Sequence, residues 1–262
     1  GVKADKESFV RYAQFGSMTA CMINGGENGA FSNHLPWWHG KDIEKIYKGC
    51  VEFHNSLIPY LFSTLVDCHL YGGSLIKNMS FNEESHLVGD YFFTKIITSK
   101  GGSVSFHLPS EGEWIDFFSG QKYKAGSVIN RIYSLTEFPL FVKAGAIIPV
   151  QSKKYIKNSI DKRLGENHVT ILLYPNGVSC RTLHLPCGDG TEYEDYLISY
   201  DDIKGRLNVY GKDNKSFTFV LRGINSVVKE VKNASSWEFD RKNKELVIHV
   251  ESDKTNIEIF KE

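Results

Sequence analysis

The segment from Trp114 to Val150 most constrains the fold of this chain. It contains two apolar runs, Phe138–Val142 and Ala146–Val150, separated by a short polar and glycine-containing turn. Such runs, bounded by glycine or proline, are typical of short strands joined by tight turns. Pro139 and Pro149 restrict how each run can pair, because proline has no backbone N–H to donate within a sheet. The segment therefore predicts strands at the edge of a β-sandwich.

Further strand-like runs lie on both sides of this segment. They cover residues 91–97, 103–108 and 113–118 in the middle of the chain, and 168–174, 216–221, 245–251 and 256–260 in the last third. Short strands separated by turn residues at this spacing favour a second sandwich. We expect the last two runs to form a hairpin through residues 252–255.

The first 80 residues have a different pattern. Residues 6–18 and a stretch that starts near Lys41 show the three- and four-residue apolar spacing of amphipathic helices. Pro59 is expected to break or kink the second helix, because proline removes a backbone donor and clashes with the preceding turn. A further helical piece is expected over about 60–70, and residues 74–81 suit a strand.

Four motifs occur in a fixed order over residues 7–150. They are Glu7–Gly16 (E-S-F-V-R-Y-A-Q-F-G), Leu57–Phe62 (L-I-P-Y-L-F), Trp114–Gly120 (W-I-D-F-F-S-G) and Phe138–Pro149 (F-P-L-F-V-K-A-G-A-I-I-P). Together they resemble glycoside hydrolase family 31, which contains α-glucosidases and α-xylosidases. Phe118, Ser119 and Lys143 are conservative departures from the family's pattern.

The resemblance implies a mainly β chain with an N-terminal α/β segment. Residues 1–85 would be the end of a (β/α)₈ catalytic barrel, 86–152 a proximal β-sandwich, 153–167 a linker and 168–262 a distal β-sandwich. A complete barrel takes about 250 residues, and far fewer precede the first sandwich motif. We therefore expect the chain to be the C-terminal part of a longer protein, with the N-terminal part of that protein as its partner.

The same resemblance implies a retaining α-glycosidase that acts on an oligosaccharide or glycoside substrate without a metal or organic cofactor. Its two catalytic aspartates would precede Glu7, so this chain is expected to hold no catalytic residue. Asp116 matches a sandwich position that supports the fold. Glu83, Glu84 and Asp90 are expected to be solvated surface carboxylates.

The glycine-rich loop at 22–38 is the best candidate for a substrate site, because barrel enzymes build their sites from loops after the strands. Asn24, Asn28 and His34 offer hydrogen-bonding groups for sugar hydroxyls, and Trp37 and Trp38 offer flat apolar faces. Alternatively, His34 bonds only to backbone and the tryptophans only pack the loop onto the barrel.

Charged residues of a family variant of this loop are replaced here by Ile23, Asn33 and Leu35. These replacements support an alternative in which the protein is a non-catalytic carbohydrate-binding or structural homologue. A free-standing lectin-like sandwich is a third possibility, although the motifs before residue 80 oppose it.

Composition excludes several other classes of protein. The chain has 31 basic and 31 acidic residues, so neither nucleic acid nor a membrane surface is expected as a partner. Its five cysteines lack C-x-x-C spacing, which opposes a zinc site or a dense disulfide framework. Buried free thiols are expected, although Cys180 and Cys187 could bridge a hairpin. Gly188–Gly190 and Tyr193–Asp195 are interpreted as turn residues.

Overall fold

The computed structural model describes residues 5–24, 34–79, 84–152, 167–187, 191–212, 215–251 and 256–262. The chain separates into two compact units. Unit 1 comprises Gly1–Leu57 and Ser74–Lys143, and unit 2 comprises Ile58–Gly73 and Ala144–Glu262. Most regular structure is strand rather than helix, so the prediction of a mainly β chain is confirmed.

The first helix, α1, covers Lys6–Gly16 and confirms the helix predicted for 6–18. Its start is defined by Asp5, whose side chain accepts a hydrogen bond from the N–H of Ser8 at 2.8 Å. This contact satisfies one of the donors that a helix leaves free at its N-terminus. Phe9 and Val10 are buried and pack with Ile43.

The second helix, α2, covers Lys41–Tyr71 and contains Pro59. The break expected at this proline does not occur, since the two expected helical pieces form one element; the alternative of a kink stays a prediction. Proline costs the hydrogen bond to the carbonyl of Asn55, but Asn55 is exposed and water can satisfy it. Tyr60 and Leu61, directly after the proline, are buried, so packing outweighs the lost bond.

Unit 1 is built mainly on one antiparallel sheet and a two-stranded ribbon. Its described strands are β1 Ile76–Asn78, β2 Ser85–Val88, β3 Phe92–Lys95, β4 Ser103–His107, β5 Trp114–Asp116, β6 Lys122–Tyr123, β7 Val128–Ile132 and β8 Leu140–Lys143. The sheet has the order β1-β2-β3-β8-β5-β6, and β4 pairs with β7. The core between them joins Phe93, Trp114 and Phe141 of the sheet to Phe106 and Ile129 of the ribbon.

Unit 2 contains two five-stranded sheets. Its described strands are β9 Ile147–Val150, β10 His168–Leu173, β11 Val178–Cys187, β12 Glu192–Asp201, β13 Arg206–Tyr210, β14 Ser216–Arg222, β15 Val228–Lys232, β16 Ser236–Asp240, β17 Glu245–Val250 and β18 Asn256–Lys261. The sheet orders are β16-β17-β14-β10-β9 and β11-β12-β13-β18-β15. Alternate side chains of both sheets form one buried cluster, which is the arrangement of a β-sandwich.

The two apolar runs of the Trp114–Val150 segment become β8 and β9, and they belong to different sheets. Pro149 lies within β9, opposite Ile171 of β10. Because β9 is the edge strand of its sheet, the missing N–H of Pro149 breaks no internal ladder. Proline was expected to restrict strand pairing, and the sheet accommodates Pro149 by placing it on an edge strand.

The predicted hairpin between the last two strands is wrong. β17 pairs with β14 and β16, whereas β18 pairs with β13 and β15 in the opposite sheet. Each strand buries only alternate side chains, such as Ile248 and Ile257, and both of these residues lie in the same cluster. Burial of the two apolar faces against each other therefore takes precedence over local pairing. The connecting residues 252–255 lie outside the described part.

The strand predicted at 74–81 is present as β1, which pairs antiparallel with β2. Its assignment to a catalytic barrel, and the boundaries at residues 85, 152 and 167, stay predictions.

All five cysteines are free, and Cys50 is the buried one. Burial of every thiol was therefore a wrong prediction. Cys180 and Cys187 lie on the same strand, β11, and a rise of about 3.3 Å per residue separates them by roughly 23 Å. A disulfide needs Cα atoms within about 7 Å, so the proposed bridge cannot form.

Candidate functional site

The two candidate tryptophans lie on a short 3-10 turn, Pro36–His39. Trp38 N–H donates to the carbonyl of Leu35 at 3.0 Å, and Gly40, with φ of 102°, ends the turn. Trp37 is 58% exposed and Trp38 is 65% exposed. Within unit 1, these side chains are therefore not consumed by packing, and their faces are available to a ligand.

The other side of the turn is anchored. Pro36 is buried, and the ring of His39 stacks on Phe9 with 4.6 Å between centroids. Phe9 in turn stacks on Tyr47 of α2 at 5.4 Å. The tryptophans are thus carried by a turn that is held between both helices of unit 1.

Asn24 and His34 form the base of the candidate loop. The side-chain amide of Asn24 donates to the backbone carbonyl of His34 at 2.7 Å, and Asn24 also bonds to the side chain of Tyr47. Burial raises the pKa of the Tyr47 phenol, which keeps it neutral. His34 is half-buried. Asn28 and the rest of residues 25–33 lie outside the described residues.

The structure therefore places four of the five candidate residues in one short region of unit 1. It directly joins Asn24 to His34, and the tryptophans follow His34 in the chain. Asn24 uses its amide within the protein, so it acts first as a support of the loop. At the flanking positions, Ile23 is 67% exposed and Leu35 is half-buried, and neither supplies a charge.

The carboxylates that the sequence analysis named have structural or surface positions in the described part of the chain. Asp116 is 1% exposed and accepts hydrogen bonds from the backbone of Ser119 at 2.7 Å and from Arg131 at 3.2 Å. Glu84 and Asp90 are exposed and pair with Lys95 and Lys77, and Glu83 lies outside the described residues. Asp116 thus closes the turn after β5, and the other two are surface groups as expected.

The first motif has a structural role that the sequence alone did not show. Arg11, buried on α1, donates to the carbonyls of Tyr133 at 2.7 Å and Glu137 at 3.0 Å. Gln14 donates to the carbonyl of Leu135 at 2.8 Å. These residues fasten α1 to the segment before β8, which is more than 120 positions away in the chain, so no local pattern could reveal the contact.

A second group of polar residues was also missed. His184 on β11 lies between Asp195 of β12 and Asp67 of α2, all within unit 2. Tyr193–Asp195 were interpreted as turn residues, but they are part of strand β12, so that interpretation is wrong; Gly188–Gly190 lie outside the described part.

Neither a metal site nor a membrane-spanning helix is found among the described residues. In the described ranges, no three His, Cys, Asp or Glu side chains converge as a possible metal site. No helix among those residues has both the length and the apolar character needed to cross a membrane.

The sheets of both units define the class of the chain as mainly β. Residues 69–148 match the family described as the glycosyl hydrolase family 31 C-terminal domain. The resemblance of this chain to the C-terminal portion of glycoside hydrolase family 31 is thereby confirmed over these residues.

Curated relatives support this resemblance. A 1,6-alpha-glucosyltransferase of Sporosarcina globispora is 27% identical over 79% of this chain and 16% of its own length. An alpha-xylosidase of Saccharolobus solfataricus is 25% identical over 79% of this chain and 28% of its own length. The chain thus spans less than a third of either relative.

Solved structures share the fold. The cycloalternan-forming enzyme from Listeria monocytogenes, in complex with a pentasaccharide substrate, superposes with a TM-score of 0.80 at 18% identity over 99% of this chain and 28% of that chain. A Flavobacterium johnsoniae family 31 dextranase, complexed with glucose, superposes with a TM-score of 0.76 at 20% identity. The match covers 98% of this chain and 37% of that chain.

Proposed function

We propose that this chain is the C-terminal part of a retaining α-glycosidase that hydrolyses non-reducing terminal α-glucosyl or α-xylosyl residues. The observation that carries the proposal is the family match over residues 69–148. Relatives named alpha-xylosidase and alpha-glucosidase, each aligned over about three quarters of this chain, support it. Residues 1–85 would complete the barrel, and 86–152 and 168–262 would be the proximal and distal sandwiches, joined by the linker 153–167.

The catalytic carboxylates are proposed to lie upstream of this chain. Retaining glycosidases use two carboxyl groups about 5–5.5 Å apart, one as nucleophile and one as acid and base. Asp116 cannot serve, because its oxygens are occupied by the backbone of its own turn and by Arg131. This chemistry requires neither a metal nor an organic cofactor.

The contribution of this chain to the substrate site is proposed to be the turn at Trp37 and Trp38. Sugar rings present C–H groups on their faces, and these pack favourably on the exposed face of an indole. The anchors behind the turn lower the entropy lost on binding, because the tryptophans need not be ordered by the ligand. His34 and Asn28 would supply hydrogen bonds to sugar hydroxyls, and Asn24 would hold the loop.

The direct test compares chain 1–262 with the full-length product of the same gene, each assayed with an aryl α-glucoside and an aryl α-xyloside. The full-length protein is expected to release the aryl group with retention at the anomeric carbon, and chain 1–262 is expected to release none. Turnover by chain 1–262 itself would refute an upstream catalytic pair.

The role of the turn is tested in the full-length protein with Trp37→Ala and Trp38→Ala. Loss of roughly 50 Å² of apolar contact corresponds to about 1.3 kcal/mol, so kcat/KM is expected to fall about tenfold for each variant. Trp237→Ala is the matched control, since Trp237 is partly exposed on β16 of unit 2. Equal losses of kcat/KM in all three variants would mean that the substitutions act through protein stability and not through contact with the substrate.

A second candidate is a non-catalytic carbohydrate-binding or structural homologue. The uncharged residues Ile23 and Leu35 in the candidate loop favour it. In that case the full-length protein would bind an α-glucan oligosaccharide in calorimetry, with loss of binding in Trp37→Ala, but it would hydrolyse neither aryl glycoside.

A further inference from the structure

Unit 1 contains a cleft of about 530 Å³ that is lined by α1, by the first half of α2 and by the segments around β5 and β8. A volume of this size is typical of sites that bind small organic molecules. Neither Trp37 nor Trp38 lines this cleft. It is therefore separate from the turn that is proposed to stack on sugars, and we call it the aromatic cleft.

The walls of the aromatic cleft are mainly apolar. Phe118 lies edge-on to Phe138 with 5.7 Å between ring centroids, and Phe53 of α2 lies edge-on to Phe138 at 6.5 Å. Phe118 is 42% exposed, so packing within unit 1 leaves part of its ring open to a ligand. Ile46 and Cys50 of α2 also line the cleft. Burial raises the pKa of the Cys50 thiol to about 11, so this thiol stays neutral near pH 7 and behaves as a small apolar group.

Two polar side chains of α1 line the cleft, and both are already bonded within the protein. The side-chain amide of Gln14 donates to the carbonyl of Leu135 at 2.8 Å, and its oxygen accepts from Arg11 at 3.0 Å. The hydroxyl of Ser17 donates to the carbonyl of Gln14 at 2.6 Å. A sugar would bury several hydroxyl groups against these walls without partners, which is unfavourable. The walls therefore match an apolar ligand better than a sugar.

The charges around the cleft balance each other. Among the lining residues that the structure describes, the charged ones are Asp42 and Lys45, which lie three residues apart on α2 and are both exposed. Thr136 adds an exposed hydroxyl. These groups can bond to one polar end of a ligand at the solvent side, but their opposite charges favour neither an anion nor a cation. The ligand that fits is therefore neutral.

Gly49 is the least expected residue of the cleft. It lies inside α2, where glycine is among the least favourable residues, and its φ is not in the left-handed range. Among the described residues, apart from its chain neighbours and the backbone of its own helix, no atom lies within 4 Å of the position that a Cβ would take. Neither backbone conformation nor packing in unit 1 therefore requires glycine. Its missing side chain opens the helix backbone to the cleft, where a flat ligand can approach it.

We propose that the aromatic cleft binds a neutral aromatic compound that carries one polar group. The aromatic part packs between the phenylalanine rings and the open face of α2 at Gly49, since aromatic rings favour edge-on and offset contacts with one another. The polar group points to solvent, where Asp42 can accept and Lys45 can donate a hydrogen bond. This site uses other residues and another ligand chemistry than the proposed glycosidase activity, so it does not depend on that activity.

The first test uses the full-length product of the gene and the probe 2-naphthol, which has two fused aromatic rings and one hydroxyl group. Calorimetry at pH 7 is expected to show saturable binding of one equivalent, and an excess of glucose or xylose is expected to leave the Kd unchanged. Absence of saturable binding would overturn the proposal, because the cleft would then be filled or closed in the whole protein. Displacement by either sugar would also overturn it, because the probe would then occupy a sugar site.

The second test fills the cleft by substitution in the full-length protein. Gly49→Leu is expected to raise the Kd of 2-naphthol at least about tenfold, since the new side chain takes the place of the ligand. Its Tm is expected to stay the same or rise, because leucine favours a helix. Lys48→Leu is the matched control: it adds the same side chain at an adjacent position that is 75% exposed and does not line the cleft. This control is expected to keep the wild-type Kd.

Phe118→Leu provides a variant whose folding does not depend on filling the cleft. It removes one aromatic ring at a partly exposed position and is expected to raise the Kd by about two- to tenfold. A wild-type Kd in either folded variant, Gly49→Leu or Phe118→Leu, would contradict the proposal. Hydrolysis of the aryl glycosides by the same proteins tests the glycosidase proposal separately, because neither residue lies in the candidate sugar loop.

Discussion

At the scale of single residues, Asp116 shows how a motif position can support the fold. Its Oδ1 accepts from the N–H groups of Phe118 and Ser119 and from the Ser119 hydroxyl, and its Oδ2 pairs with Arg131. One side chain therefore closes a turn and pairs with a partly exposed arginine of β7. An aspartate in this motif is consequently no indication of catalysis.

We expect Asp116→Ala to destabilise unit 1 by about 2–4 kcal/mol, because the turn loses a carboxylate that accepts several hydrogen bonds and Arg131 loses one of the carboxylates with which it pairs. Urea unfolding followed by tryptophan fluorescence measures the change, since Trp114 is two residues away in β5. Asp90→Ala is the control, because Asp90 is exposed and its pairing with Lys77 is worth less than about 1 kcal/mol. Similar urea midpoints for both variants would mean that the Asp116 contacts contribute little.

A backbone prediction at this scale concerns Gly102. Its φ is 74°, and a Cβ there would lie 2.1 Å from the carbonyl oxygen of Tyr133. Gly102→Ala is expected to lower the free energy of unfolding by more than about 3 kcal/mol, since both backbone strain and a clash oppose it. Gly101→Ala has a similar φ of 80° but no atom within 4 Å, so it should cost only about 1–2 kcal/mol. Equal losses of unfolding free energy in the two variants would mean that the positive φ, and not the clash, causes the whole destabilisation.

Local patterns predicted such residues only where the contact is also local. Asp116 bonds within its own turn, and its supporting role was predictable from its motif. The environment of His184 was not, because Asp67 lies 117 positions earlier in the chain. Tyr193–Asp195 were misinterpreted for a related reason: acidic residues after a glycine-rich stretch resemble a turn, whereas pairing with β11 makes them a strand.

At the scale of elements, β10, β14 and β17 share a polar cluster in unit 2. His168 contacts the hydroxyls of Ser216 at 2.8 Å and Thr218 at 3.0 Å, and Thr218 contacts His249 at 2.9 Å. Burial, together with the neighbouring His249, lowers the pKa of His168 to about 4. The three strands are therefore joined by a histidine that must be neutral in the folded protein.

This depressed pKa predicts acid sensitivity of unit 2. Between the unfolded value of about 6.5 and the folded value of about 4, the unfolded chain binds more protons, so stability is present above pH 6.5 and is lost as the pH falls towards 4. Because His168 is partly exposed, we expect a loss of about 1–3 kcal/mol. Denaturation at pH 7 and pH 4.5 measures it.

The histidine responsible can be identified by substitution. His168→Gln should be less stable at pH 7 but should lose less stability on acidification, whereas His107→Gln, at an exposed position of β4, should behave as the wild type. If His168→Gln lost as much stability on acidification as the wild type, other titratable groups would be responsible for the acid sensitivity.

Element predictions succeeded where periodicity and turn residues agreed, as for α1 and for β10. They failed where contacts with residues far away in the sequence determine the structure. Pro59 did not end α2, because buried residues follow it directly, and β17 and β18 do not form a hairpin, because their apolar faces meet across the sandwich. Sequence periodicity identifies the buried face of a strand, but it does not identify the sheet to which the strand belongs.

At the scale of the whole molecule, the order of motifs predicted the family and the mainly β architecture. The division into units was less accessible, because Leu57 and Ile58, neighbours within α2, are assigned to different units. A helix that is continuous in sequence pattern gives no sign of such a division. The two tryptophans could be named from the sequence, and their role as a substrate site stays a prediction, whereas the anchors Phe9 and Tyr47 emerge only from the fold.

The proposal that residues 1–85 complete a larger barrel predicts an apolar surface on chain 1–262 when it is studied alone. In the second half of α2, Ile58, Leu65, Leu70 and Tyr71 are 45%, 42%, 47% and 80% exposed. Large apolar side chains at such density on one helix mark a surface that normally contacts another part of a protein. Chain 1–262 is therefore expected to bind a hydrophobic dye and to self-associate in sedimentation experiments.

Ile58→Lys combined with Leu65→Lys, seven residues apart and hence on one helix face, should reduce dye binding and shift the chain towards monomer. Ile203→Lys is the control, because Ile203 is 86% exposed in a turn of unit 2 and is not part of this helix, and it should leave both properties unchanged. A wild-type chain that is monomeric and does not bind the dye would favour a free-standing sandwich protein, since an isolated barrel remnant could not conceal this surface from solvent.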